Sequence, residues 1–262
     1  MNRDLALEWF DRWERQQELY AIGRTDRFEV ICDVIAAAAS PPRTVIDLGC
    51  GPGSLAAVVS HAFPDCTVIA VDVDPFLLEL GATVHPGIDF RQADLADPDW
   101  TDGLRDLPIS TVVTSTALHY PPVPVLATIY RECAQLLQPG GMLINADHLL
   151  ADAPGLRTVQ SVVAERTAER QGVRERETWS QWWDAVTEEP DLADLIARRA
   201  REVPVHLRRQ RPDRRSASRD HARIRVRRGG HRLASGDEHR HGRHRAGVVM
   251  RRPPLYREPL ST

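Results

Sequence analysis

The 262-residue chain predicts an α/β fold, a doubly wound and mostly parallel sheet with helices on both faces. Three observations carry that prediction. Short β-rich runs alternate with longer helical ones from residue 44 to residue 146. The first of those runs passes through a glycine-rich turn, Gly49-Cys50-Gly51-Pro52-Gly53, straight into a helical stretch. The second ends on an acid, Asp72. Strands covered on both faces read as unbroken apolar runs, as Val68-Ile69-Ala70-Val71 does.

Two helices open the chain. Leu5, Trp9, Trp13 and Tyr20 fall at helical spacing among charged residues. A second apolar stretch, Phe28–Ala39, stops at Ser40-Pro41-Pro42, where proline breaks a helix. Residues 1–40 are therefore expected to form a helical lid. Residues 41–150 hold the alternating region, with strands at Thr44–Leu48, Thr67–Val71, Ile88–Gln92, Ser110–Ser115 and Met142–Ala146. Helices at Ser54–His61, Phe76–Gly81 and Val123–Leu137 lie between them. Residues 151–203 read as helices again, with a cap at Thr178 followed by Trp179, Trp182 and Trp183. They are expected to complete the lid over the substrate.

The last segment is different in kind. All 34 basic residues are Arg, and they divide unevenly over the acids. Residues 1–203 hold 17 Arg and 32 Asp or Glu, a net of −15; residues 204–262 hold 17 Arg and 5 acids, a net of +12. The tail also carries six of the ten His and a single aromatic, Tyr256. Runs such as Arg208–Arg215 and His239–Arg245 have no strand periodicity and build no core. The expectation is a low-complexity tail that leaves the terminal strand pair of the sheet missing or replaced. Met142–Ala146 would then be an unpaired edge. Heavy use of Ala, Arg, Gly and Pro without Lys points to a GC-rich coding sequence, in which an out-of-frame ending would look like this tail. A basic arm for nucleic acid is the alternative.

Composition narrows the class. No apolar run approaches the ~20 residues that span a bilayer, and the charged N-terminus is unlike a secretory leader, so a cytoplasmic chain without membrane contact is expected. Cys32, Cys50, Cys66 and Cys133 form no CxxC pair, so no metal site is read from them. A phosphate-binding P-loop needs a lysine, and the chain has none. The dehydrogenase loop needs G-x-G-x-x-G, whereas the spacing here is Gly49-x-Gly51-x-Gly53.

Five segments in order, VIDLGCGPGS, AVDVDP, ADLAD, STALHY and LLQPGGMLINAD, resemble class I S-adenosylmethionine-dependent methyltransferases of the small-molecule type. The resemblance covers about residues 40–150, and more loosely 1–203. It implies a Rossmann-like core that binds S-adenosyl-L-methionine. Asp47, Gly49 and Gly51 would lie at the methionine part, and Ser115 would line that end. Asp72 would hold the ribose, Val73 would flank the adenine, and Asp94 with Leu95 would meet the adenine amine. Asp74 competes with Asp72, but it precedes Pro75 and reads as a helix cap.

His119 and His148 follow the fourth and fifth strands, where ligands of such folds sit, and are the candidates for a base. Trp9, Trp13, Tyr20, Tyr120 and Trp182 are the candidates for an apolar cover over the acceptor. The reading is in-line methyl transfer to a small organic acceptor. The acidic body speaks against nucleic acid as partner, although a nucleic-acid methyltransferase using the basic tail stays as one alternative. A cofactor-binding protein without turnover is the other.

Overall fold

The computed structural model describes residues 1–148, 154–173, 176–205 and 222–228. Fourteen elements position the site, in the order α1 (Arg3–Tyr20), α2 (Arg24–Ala36), β1 (Thr44–Leu48), α3 (Ser54–Ala62), β2 (Thr67–Asp72), α4 (Pro75–Val84), β3 (Asp89–Gln92), β4 (Ile109–Ser115), α5 (Val123–Leu136), β5 (Met142–His148), α6 (Pro154–Arg170), α7 (Trp179–Glu188), α8 (Ala193–Glu202) and β6 (Ala222–Arg228). The strand order is β3-β2-β1-β4-β5-β6, and β1 to β5 run parallel. The strand order reverses between β1 and β4, and in open parallel sheets that crevice receives the ligand.

Side chains alternate between two faces that are both covered by helices, so the central strands are largely apolar. Val45, Val68, Ala70, Val113, Ile144 and Ala146 pack on one face with Phe28, Ile31 and Ile35 of α2 and Leu55 and Val59 of α3. Their neighbours Ile46, Leu48, Ile69, Val71, Val112 and Leu143 pack on the other, against Ile129, Cys133 and Leu136 of α5. A third cluster lies beyond the sheet, where α1, α4 and α7 meet around Trp9, Phe76 and Trp182.

The sixth strand corrects the expectation for the tail. β6 pairs antiparallel with β5 along its full length, from Met142↔Arg228 to His148↔Ala222. β5 therefore has a hydrogen-bonded neighbour over all seven of its residues. The cause is visible in the sequence between the two Arg-rich runs. Ala222-Arg223-Ile224-Arg225-Val226-Arg227 alternates apolar and polar residues, with β-branched residues at two of the apolar positions. Residues 206–221 and 229–262, and with them the rest of the low-complexity tail, lie outside the described residues. Among the described residues, no helix is long and apolar enough to cross a membrane.

Candidate functional site

The loop after β1 turns three times through left-handed backbone. Gly49, Gly51 and Gly53 have φ of +68°, +56° and +84°. Such angles are open to glycine at little steric cost. At Gly49 a Cβ would also collide with Ala117 on the loop after β4, and at Gly53 it would come within 2.6 Å of Phe90. The glycines thus set both the turn and the close approach of β1, β3 and the loop after β4.

Carboxylates hold this loop from below and from the side. Asp47, fully buried on β1, accepts from the Ala56 N–H in the first turn of α3 at 3.1 Å. Burial raises it to about 7, with the neighbouring Asp72 charge adding to the rise. Asp72, the last residue of β2, accepts from the Gly51 N–H at 2.8 Å and the Asp74 N–H at 2.9 Å. Its enclosure pushes it up to about 6, against the lowering effect of those two donors. Asp74 caps α4 by accepting from the Phe76 N–H at 3.0 Å. Its other oxygen takes the Arg199 Nε–H of α8 at 2.5 Å. After β3, Asp94 accepts from the Ala96 N–H at 2.9 Å. Ser115, at the end of β4, donates to the Ala146 carbonyl at 3.2 Å.

These groups border one cavity of about 580 Å³, in the range of small-molecule sites. Asp47, Gly49, Gly51, Asp72, Val73, Asp94, Leu95 and Ser115 all lie on its wall. Thr116, also on the wall, has φ of +55°, a strained conformation for a β-branched residue. Trp13, Tyr20, Tyr120, Trp179 and Trp183 form the aromatic side. Arg24 and Arg199 are there too, paired with Glu14 at 2.5 Å and with Asp74.

The structure separates the proposed cover residues into two groups. Trp13, Tyr20 and Tyr120 face the cavity, whereas Trp9 and Trp182 do not. Trp182 is 0% exposed and sits among Trp9, Trp13, Phe76 and Trp183, with ring centroids 4.9 to 6.0 Å away. Within one turn of α7, Trp182 is enclosed in the cluster, whereas Trp179 and Trp183 pack against or within the cluster and also line the cavity. Polar contacts tie the start of α7 to α1. The Trp179 N–H donates to the Tyr20 hydroxyl at 3.0 Å, Arg12 grips Glu177, and a capping box at Thr178 and Gln181 starts α7.

His119 lies on the cavity wall, and its Nδ1 is 2.6 Å from Asp147 Oδ1 on β5. His148 ends β5; its side chain lies outside the described residues. Asp147 and Arg199 escaped the sequence reading. Asp147 lies near the end of β5, and its only signal is a charge in a strand whose first residues, Met142-Leu143-Ile144, are apolar. Arg199 is one of six Arg between residues 170 and 201, and nothing in the pattern marks it.

Residues 45–141 match a family described as a methyltransferase domain. Similar proteins include a trans-aconitate 2-methyltransferase of Methylobacterium radiotolerans, 38% identical over 125 residues, 47% of this chain and 45% of that one. Another of that name, from Azoarcus sp., is 27% identical over 165 residues, 62% of this chain and 58% of that one. Among solved structures, Streptomyces venezuelae DesVI is 17% identical with a TM-score of 0.46, over 56% of this chain and 59% of that one. The chain spans about half the length of the curated relatives it matches.

Proposed function

We propose that residues 45–141, which match a family described as a methyltransferase domain, work as a class I S-adenosylmethionine-dependent methyltransferase, and that the chain methylates a small organic acceptor in the cavity above β1, β2 and β4. The observation that carries this reading is the convergence of the glycine loop, Asp72 and Asp94 on a single cavity whose opposite side is aromatic.

The donor set fits S-adenosyl-L-methionine. That ligand presents two ribose hydroxyls, an exocyclic amine and two positive centres, all of which favour carboxylates. Asp72 offers its carboxylate at the end of β2, and Asp94 does so after β3. Val73 and Leu95 supply apolar edges for a flat ring between those acids. Asp47, Gly49, Gly51 and Ser115 line the same cavity and would meet the methionine part. When bound, the cofactor supplies an activated methyl group on a sulfonium sulfur. The protein's task is then to orient the acceptor in line with that methyl and to exclude water. Trp13, Tyr20, Trp179 and Trp183 serve both ends by walling the cavity with apolar surface.

The names of the relatives suggest a small metabolite as acceptor, and that class is carried over here. The test is a transfer assay with S-adenosylmethionine labelled in the methyl group, run on the full chain against a metabolite extract and against RNA. Label in the small-molecule fraction is the expected outcome. Label confined to RNA, or none in either pool, would contradict the reading.

A further inference from the structure

We propose that His119, oriented by Asp147, accepts the proton of a hydroxyl on an aromatic acceptor, a role that rests on the methyltransferase reading above. The sheet brings the two residues together. β4 and β5 pair in register from Thr111↔Met142 to Ser115↔Ala146, so Asp147 and the loop after Ser115 emerge side by side at the carboxyl end of the sheet. Asp147 is 1% exposed, and its Oδ1 lies 2.6 Å from His119 Nδ1, within hydrogen-bonding distance. A carboxylate accepting at Nδ1 selects the tautomer with its proton on that nitrogen. The lone pair then sits on Nε2. The same carboxylate stabilises the imidazolium once Nε2 has taken up a proton.

The rest of the cavity selects the acceptor. Trp13, Tyr20, Tyr120, Trp179 and Trp183 make the wall suited to a flat apolar ring, and Tyr120 lies with its centroid 4.0 Å from that of His119. A polycarboxylate acceptor would want cationic partners. Among the described residues the arginines on the wall are Arg24 and Arg199, and each already faces an acid. A carboxylate is also nucleophilic without losing a proton, which would leave the histidine and aspartate pair without a task. A phenolic hydroxyl, with a pKa of about 10, is protonated at neutral pH and needs a base. The step balances. The O–H bond breaks as its proton passes to His119 Nε2, and the electron pair left on oxygen forms the new bond to the methyl carbon. The pair of the broken C–S bond stays on sulfur, and His119 later returns the proton to solvent.

The experiment uses the full chain with phenol, 4-nitrophenol, benzylamine and trans-aconitate as probes, comparing wild type with His119→Gln, Asp147→Asn and Asp147→Glu. Calorimetry with S-adenosylhomocysteine and nitrogen NMR of the histidine rings run alongside. Wild type is expected to methylate the phenols, and His119→Gln to lower the rate on phenol roughly 100-fold or more. The loss should be much smaller on 4-nitrophenol, whose acidic hydroxyl is substantially ionised without help from a base when assayed slightly above neutral pH, and S-adenosylhomocysteine affinity should stay within a few-fold. Asp147→Asn should shift the pH profile and abolish the Nδ1–H tautomer signal of His119, with Asp147→Glu restoring part of both. Equal losses on the two phenols, methylation confined to benzylamine or trans-aconitate, or an Nε2–H tautomer in wild type would overturn the proposal. Failure of the wild type to bind S-adenosylhomocysteine would instead overturn the methyltransferase reading beneath it.

Discussion

Asp72 ties the Gly51 and Asp74 backbones together with its two oxygens, so the residue expected to hold a ligand hydroxyl also fixes the shape of the glycine loop. Burial makes both Asp72 and Asp47 reluctant to ionise, with the Asp74 charge adding to the rise at Asp72 and the Asp72 charge to that at Asp47. The consequence for stability has a definite sign. A carboxyl raised in the folded state is ionised more easily when unfolded, so the ligand-free protein should lose stability as pH rises from about 4, the ordinary carboxyl value, through about 6 and about 7. Ligand affinity should run the other way. S-adenosylhomocysteine binding should weaken as pH falls through about 6, when Asp72 takes up its proton. Thermal melts and calorimetry across this range check both slopes, and Asp72→Asn should flatten the second. The sequence already marked Asp72, because an acid that closes an apolar strand has little packing reason to be there. Asp147 was invisible because its significance depends on a partner 28 residues away.

Elements were easier to read than their faces. The helical spacing of Trp9, Trp13 and Tyr20 identified α1, and Thr178 identified the start of α7. Which indole meets the cavity depends on how α1 and α7 cross α4, and no local pattern encodes that crossing. Trp182→Ala should therefore cost about 3–5 kcal/mol of stability by emptying the cluster, measured by denaturant unfolding. Trp183 lines the cavity itself, and Arg199 stacks over its ring at 3.7 Å. α8 buries no residue fully; Leu195 and Ile196 pack half-buried against the third cluster, Arg199 ties the helix to Asp74, and Arg198 and Glu202 tie it to Gln92. Arg199→Ala should therefore raise amide exchange in α8 well before the core strands open. Uniform exchange across the molecule would show that the Asp74 contact does not anchor the helix. β6 was missed because its alternation occupies only seven residues within a strongly charged segment, where composition outweighed periodicity.

At the scale of the whole molecule, an acidic body carries a basic segment that supplies a strand to its sheet. Removing residues 206–262 would expose the β5 edge, whose residues Met142–Ala146 are almost wholly apolar. Exposed edges of that kind pair with one another. The truncated chain should therefore aggregate faster than the full one in light scattering, and equal solubility would mean that β6 contributes little to the sheet. Binding of S-adenosylmethionine in the cavity above β1 and β2, through Asp72, is open to calorimetry. Calorimetric titration of the full chain with S-adenosylhomocysteine should show one site, and Asp72→Ala should weaken it about 10- to 150-fold, as expected for losing hydrogen bonds to a charged group worth about 1.5–3 kcal/mol. Equal affinity in the two proteins, or no binding by the wild type, would contradict the account.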